Sequence, residues 1–553
     1  MLILINKLKM RQELVDKLIP GDIPSIAEIE KMYPCRPEGT VVTRIAPSPT
    51  GLMHIGTVWT AMVAERIAHQ NNGIFFLRIE DTDQKREVTG AVDAILKTLD
   101  YCGLKTDEGL RLDGKEYGNY GPYTQSKRAN IYKAYIKELL KKDLAYPSFI
   151  THEELEKIRE EQTKLKIRTG LYGLWAKERN LTEEQIEDNL KANKSYVIYF
   201  KSTGEANKKI VIEDLIRGKK ILPENDLDIV ILKGDGLPTY HFAHLIDDHL
   251  MGTTHVVRTD EWFISTPLHV QLFQVMNWKV PYYIQPAPIQ KIDNGAKRKL
   301  SKRKDPEANF QFYIEQGYPK EVIIDYLMNL ANSNYEDWRK VNPKADFKKF
   351  PFEIKKLGTS GAMLDFKKLE SICKDFITTL SSEEIYKRLL EWANEFNKGL
   401  VETMLKNKDY FISIFGIERN NCDRVRKDYS LLSTIYEQIK YFFEFDYNLD
   451  KFRLDMPNIS IEDVNKIIKD YIESNNDNFT KEEWFENMKV LALKHGYVTS
   501  NKEFKPEIHK GNISDFVSIF RYLITGRKNS PDLYSIIKVL GKEETIKRLN
   551  LKY

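Results

Sequence analysis

Between Thr43 and Thr57 the chain reads TRIAPSPTGLMHIGT, a β-branched run that breaks into Pro47, Pro49 and Gly51 and then sets His54 at the mouth of a helix. The prolines and the glycine permit a tight, preorganised turn from strand to helix. Gly56 keeps the helix start clear of a side chain that would hold a ligand away. Unpaired N–H groups and the positive dipole end at such a start favour phosphate. His54 adds a ring donor, protonated or neutral, and Thr57 a hydroxyl. The same residues could also make a plain capped turn, with Thr50 as the cap and His54 packed inside. A second candidate is KRKLSKRKD, Lys297 to Asp305, where Lys299 and Lys302 flank Ser301. As a closing loop it would bring ammonium groups to the charge that grows as pyrophosphate leaves a triphosphate. As a bare charge run it would be a solvated surface.

Both stretches need elements to hold them. TVVTRIA is almost free of polar interruption, the pattern of a strand covered on both faces. HIGTVWTAMVAERIAHQ places Val58, Ala61, Met62 and Ile67 at helical spacing, GIFFLRIE gives a second buried strand, and DTDQKREVTGAVDAILKTLDYCG a second helix. This order predicts parallel strands with right-handed crossovers, hence a doubly wound α/β sheet. From about 126 to 235, charged helices and a short β section (SYVIYFKSTG, KKIVIEDLIRGKK) read as an insertion. The α/β texture then returns with DIVILKGDGLPTYHFAHLIDDHLMGTTHVVRTDEW, and KIDNGAKRKLSKRKDPE reads as a polar loop. Beyond about 310 only helices are legible. Thr480 to Glu483 form a capping box, Ser530 with Pro531 opens a helix with Leu533, Ile536, Ile537 and Leu540 on one face, and ESNNDN and DMPNIS are the expected joints.

Composition limits the class of object. The 553 residues exceed a usual domain several-fold, and 42% hydrophobic residues suffice for large cores. Lys+Arg 85 against Asp+Glu 81 leave a net +4, so any nucleic-acid surface must come from local segregation of charge. Cys35, Cys102, Cys373 and Cys422 lie far apart with no CxxC, which argues against a zinc knuckle or a disulfide framework and fits a reducing cytoplasm. The run MLILI is too short for a signal segment, NKLKMRQELVDKL reads as a charged amphipathic helix, and no stretch reaches the roughly 18 to 20 apolar residues of a membrane span.

His-x-Gly-x after a first strand, with Lys-x-Ser-Lys beyond a helical insertion, resembles the two signatures of class I aminoacyl-tRNA synthetases. RIAPSPTG, LRIEDTD, DGLPTYHFAHLIDDHLM and KLSKRKD narrow the likeness to the glutamyl-tRNA synthetases of bacterial type. It runs from about residue 40 to the end, including ITGRKNSPDLYSIIKVLG, and leaves residues 1–38 as an extension without a counterpart. The resemblance implies a Rossmann-like catalytic domain at 39–125 and 240–290, with an acceptor-end-binding domain inserted at 126–239. A stem-contact region with the KLSKR loop would follow at 291–385, and an all-α anticodon-binding half of two subdomains at 386–553.

The resemblance also implies roles. Glutamate would meet Arg44, Ser48, Glu80, Tyr240, His244 and Arg258; ATP would meet His54, Gly56, Thr57, Glu261, Trp262, Lys299, Ser301 and Lys302. His54, Lys299 and Lys302 would act on phosphates. Two arginines and an acid complement two carboxylates and an ammonium. Some family members have Asn where His244 stands, which puts that contact in question. Others bind zinc through cysteines in the insertion; AYPSFITHEEL has none, so no zinc is expected. Asp81 and Asp83 would either cap the following helix or serve the tRNA end. The implied reaction joins L-glutamate to the α-phosphorus of ATP, Mg2+ accompanying the triphosphate. The glutamyl group then passes to the terminal adenosine of tRNA(Glu), and in some relatives of tRNA(Gln). A cytoplasmic monomer without a membrane partner is expected. Glutaminyl-tRNA synthetase is the alternative enzyme, opposed by the helical C-terminal half; a non-catalytic tRNA-binding relative is opposed by the intact His54, Lys299, Lys302, Arg44, Glu80 and Arg258. Arg424, Arg426, Arg521 and Arg527 are candidates to face an anticodon base.

Overall fold

Val42 pairs in parallel with Ile74, and the register runs to Ile45 opposite Leu77. This is seen in a computed structural model that describes residues 10–420, 422, 424–445, 459–500, 502 and 504–550. The helix Ile55–His69 makes the crossover and is buried on nearly all sides, as its small and apolar residues require. Thr254 N–H donates to Val42 O at 3.0 Å, which sets the strand His255–Val257 on the flank of Val42–Ile45 away from Ile74. His255–Val257 in turn runs parallel to Tyr282–Ile284. The doubly wound core is therefore present, built from strands of three or four residues.

Three strands change sheets relative to the sequence expectation. Ile229–Leu232, the DIVIL strand, pairs antiparallel with Val197–Phe200, which pairs antiparallel with Ala145–Ser148. It closes the inserted sheet and does not resume the parallel one. Conversely the hairpin Lys209–Asp214 with Gly218–Pro223 joins the parallel sheet where Asp214 bridges Tyr283. An apolar strand looks alike in either sheet, so patterning could not assign them.

KIDNGAKRK is a β-hairpin, not an open loop: Gln290–Asp293 pairs antiparallel with Ala296–Lys299. Asn294 and Gly295 make the two-residue turn with positive φ of 49° and 80°. Asn-Gly between short strands is the hairpin signal, here masked by charged neighbours.

The N-terminal extension has a defined place. Residues before 10, including MLILI, lie outside the described residues. Helices Gln12–Leu18 and Ile26–Met32 follow, the second with a Ser25/Glu28 capping box. Leu14, Val15, Leu18, Ile29 and Tyr33 are buried in the main core with Phe76, Tyr132 and Phe242. Arg36 fastens the end: Nε donates to Met251 O at 2.8 Å, the fork grips Glu108 at 3.0 and 2.8 Å, and the guanidinium lies 3.7 Å over the Tyr120 ring.

The chain divides into two compact units, residues 1–313 with 323–365 and residues 314–322 with 366–553. The second has no strand among its described residues. The Thr480/Glu483 capping box forms as expected. Asp532, not Ser530, caps Leu533–Leu549, which bends at Gly541 (φ 78°). ESNNDN separates Ile461–Ser474 from Lys481–Lys494, whereas DMPNIS falls mostly outside the described residues.

Candidate active site

His54 is itself the N-cap of Ile55–His69; Thr50 is not. Its Nδ1 accepts the Gly56 N–H at 2.9 Å. A Cβ at residue 56 would stand 3.0 Å from that nitrogen, so the glycine serves the cap as well as any ligand. An accepting Nδ1 puts the ring proton on Nε2, and the buried ring also meets the Leu300 backbone. Burial, then nearby Lys299 and Lys302, push His54 down to about 4. The ring is neutral at pH 7 and acts as a donor through Nε2.

The hairpin delivers Lys299, whose Nζ rests on Glu261 Oε2 at 2.5 Å. The residues after it are tethered, not free. Buried Asp305 takes both Nη groups of Arg298 (2.6 and 2.8 Å), Lys291 Nζ (3.1 Å) and the Ser301 N–H (2.8 Å). Phe310 N–H then donates to Met53 O at 2.9 Å, beside a bridge between His54 and Asn309, so backbone bonds tie the two signatures together.

One cleft of about 1520 Å³ is lined by Arg44, Ser48, His54, Gly56, Thr57, Glu80, Tyr240, Arg258, Glu261, Trp262, Lys299, Ser301 and Lys302. His244 does not line it. That residue is 1% exposed, stacks beneath Tyr240 with centroids 4.8 Å apart, and holds its Nδ1 2.9 Å from Tyr240 O. Neither aspartate caps the following α-helix, Ala91–Tyr101, whose N-cap is Gly90, and Asp83 makes no side-chain cap bond to the 3₁₀ turn Gln84–Arg86. Asp81 accepts from Ser126 N–H (2.7 Å) and Oγ (2.5 Å), and Asp83 pairs with Arg86.

Behind the cleft lies an ionic network in which sequence reasoning had singled out only Arg44 and Glu80. Fully buried Arg78 donates to Asp248 (2.8 Å) and Glu80 (2.9 Å); Arg44 reaches Asp248 at 3.2 and 3.4 Å. Asp247 takes Arg128 (2.7 Å), Gln125 (2.8 Å) and Tyr132 (2.9 Å). Burial pushes the Glu80 carboxyl up, against Arg78 and Arg44. Burial would also raise Asp248, but Arg44 and Arg78 hold it well below the usual range. Arg78 in LRIED and Asp247 and Asp248 in LIDDHL are charges inside stretches that pattern as core, which is tenable only for paired groups and was the available signal.

Arg258 is bound differently. Nε donates to Gln285 Oε1 (3.2 Å), Nη1 to His269 Nδ1 (3.0 Å) and Nη2 to Thr266 Oγ1 (3.0 Å). Among the described residues no carboxylate forms an ion pair with it.

Residues 40–371 match the family described as tRNA synthetases class I (E and Q), catalytic domain, and residues 384–552 match the anticodon binding domain. The chain is 44% identical to the glutamate–tRNA ligase of Acetivibrio thermocellus over 97% of this chain and 99% of that one. It is also 44% identical to that of Clostridium perfringens strain 13, covering 94% and 96%. Among solved structures it resembles a glutamate tRNA ligase from Elizabethkingia meningosepticum in complex with its amino acid, at a TM-score of 0.72 and 28% identity, covering 92% and 98%. Two signatures meeting at one cleft, on a chain that spans its relatives almost end to end, leave one conclusion: it belongs to the class I glutamate–tRNA ligases.

Proposed function

We propose that the cleft joins L-glutamate to ATP, with Arg258 receiving the side-chain carboxylate; the absence of any acidic partner on Arg258 carries this reading. Arg44, Arg78 and Arg128 are balanced by Glu80, Asp247 and Asp248, so the buried network is neutral without Arg258. Glutamate, with two carboxylates and one ammonium, brings the single negative charge that Arg258 lacks. Glu80 is the acid on the cleft wall suited to the ammonium.

No protein nucleophile is needed. The α-carboxylate attacks the α-phosphorus, an acyl–phosphate bond forms, and the bond to pyrophosphate breaks. The positive dipole end of Ile55–His69, the Nε2–H of His54, and Lys299 and Lys302 meet the phosphate charge, while Glu261 is placed for ribose hydroxyls. Magnesium would accompany the triphosphate, held by its phosphate oxygens.

The 2′-hydroxyl of the terminal adenosine of tRNA(Glu) then attacks the adenylate carbonyl: the ester bond forms, the acyl–phosphate bond breaks, and AMP leaves as the hydroxyl gives up its proton. In the helical unit, Arg426 and Arg521 donate to Ser530 O, and Arg527 to Gln438 O and Glu437 O. Arg424 is exposed and is the best placed of the four to meet an anticodon base. The bacterial relatives and the absence, among the described residues, of a helix long and apolar enough to cross a membrane support a cytoplasmic enzyme, which we take to act as a monomer.

Arg258→Ala tests the pocket. In aminoacylation of tRNA(Glu), the KM for glutamate is expected to rise about 100-fold or more with the KM for ATP within about threefold, because a substrate carboxylate would be left unpaired. An unchanged glutamate KM would overturn the assignment. Charging separate tRNA(Glu) and tRNA(Gln) transcripts with labelled glutamate fixes the tRNA range.

A further inference from the structure

The partners of Arg258 determine where protons sit well beyond it. A guanidinium can only donate, so His269, whose Nδ1 is 3.0 Å from Arg258 Nη1, keeps Nδ1 bare and carries its proton on Nε2. That proton faces His241 Nδ1 at 2.9 Å, so this nitrogen is bare as well and His241 is protonated on Nε2. The chain of donors runs one way, from guanidinium to imidazole to imidazole. A second proton on His269 would set N–H against N–H beside a permanent cation. His269 is fully buried, His244 packs edge-on against it at 4.4 Å, and neither His269 nor His241 lines the cleft.

Gln285 repeats the arrangement on the other side of the guanidinium. Its Oε1 accepts from Arg258 Nε, while its Nε2 donates to Asp214 Oδ2 at 3.3 Å. The acid is kept one amide away. A carboxylate at either place would satisfy the same hydrogen bond and cancel the charge; an imidazole or an amide satisfies the bond and leaves the charge intact.

We propose that His269, backed by His241, is a positioning and specificity-determining residue: it seats Arg258 with a neutral acceptor and so reserves the guanidinium charge for the substrate carboxylate. This rests on the reading that Arg258 meets the side-chain carboxylate of glutamate.

The test uses the full-length enzyme with His269→Asn, His269→Phe and His269→Asp, in aminoacylation of tRNA(Glu) with glutamate and ATP varied separately. Asn offers Oδ1 near the position of Nδ1, so the KM for glutamate is expected to stay within about threefold of the native value. Phe removes the acceptor and leaves a buried donor unpaired, raising the KM for glutamate about tenfold or more with the KM for ATP within about twofold. Asp restores the bond but cancels the charge, and is expected to raise the glutamate KM at least as much as Phe. The inference is overturned if Phe leaves the glutamate KM unchanged, if it raises both KM values together, or if Asp behaves like Asn. Should the Phe variant fail to fold, the near-isosteric Asn and Asp variants decide alone. Arg258→Ala separates the two levels: if it leaves glutamate unaffected, the reading of the pocket fails; if it does affect glutamate while Asn and Asp agree, only the role of His269 fails.

Discussion

Lys299 Nζ lies 2.5 Å from Glu261 Oε2, so the hairpin bearing one expected ATP ligand is tied to the 3₁₀ turn bearing another. The two side chains are 44% and 46% exposed, and pairs in that setting contribute roughly 0 to 1 kcal/mol. ATP can therefore draw Lys299 away at little cost. Lys299→Ala and Lys302→Ala are expected to lower the melting temperature by about 3 °C or less. Both are expected to slow adenylate formation on the order of 100-fold, measured by single-turnover quench, because their contacts strengthen as charge develops. Weakened ATP binding with an unchanged chemical step would contradict the role.

Asp305 anchors the stretch that follows Lys299, accepting from Arg298, Lys291 and the Ser301 N–H. Asp305→Asn keeps the shape and loses the charge. Adenylate formation is expected to fall about tenfold with the KM for glutamate unchanged, since the anchor touches only the ATP side. A matching rise in the glutamate KM would show that the loop does more than place lysines.

Gly56→Ala puts a methyl 3.0 Å from His54 Nδ1. The ring must give by a few tenths of an ångström, which weakens the N-cap bond to Gly56 N–H, and a cap is worth about 1 kcal/mol. The expected outcome is a melting temperature lower by a few degrees together with a kcat drop of tenfold or more. Native kcat in a destabilised variant would separate the cap from the chemistry.

Burial, then Arg258 and Arg44, push His244 down to about 3 from an ordinary 6.5. The unfolded chain takes up this proton near 6.5 and the folded chain does not until about 3, so stability is level above 6.5 and falls as pH drops through that window. His54, at about 4, adds to the same acid limb. His69 has the opposite sign: the hydrogen bonds it donates to Asp107 and Glu65 raise it to about 9, so its contribution is full below 6.5 and fades as pH climbs through 9. Melting curves from pH 4 to 7 should be shallower for His244→Asn than for the native chain; parallel curves would refute the assignment.

Arg36→Ala removes a buried grip on Glu108, with the two side chains 7% and 13% exposed, and strands the carboxylate. The loss is expected to be about 3 kcal/mol, read in urea unfolding. A change under about 1 kcal/mol would mean that the extension is an appendage.

The parallel core and the two signatures that meet at the cleft were legible because each rests on local information: a buried β-branched strand, a Pro/Gly turn, a lysine pair about a serine. What escaped was non-local. Arg78, Asp247 and Asp248 look like defects in core segments until they are seen to neutralise one another, and no spacing rule joins residues 170 positions apart. The pairing of Arg258 with His269, and the sheet chosen by Ile229–Leu232, depend likewise on tertiary neighbours. The Asn294–Gly295 turn, by contrast, is a local signal, masked by the dense run of charge around it.

The clasp at Arg36 has a consequence for how the protein is made. Its fastening points follow 72 residues later at Glu108 and 215 residues later at Met251. At ordinary translation speeds of 5 to 20 residues per second, the second arrives roughly 10 to 40 s after Arg36 itself. The core that Gln12–Leu18 and Ile26–Met32 enter includes Phe76, Tyr132 and Phe242, so it too is completed only well after the helices themselves are made. These two helices are thus locked by a clasp that closes only once residue 251 has been made.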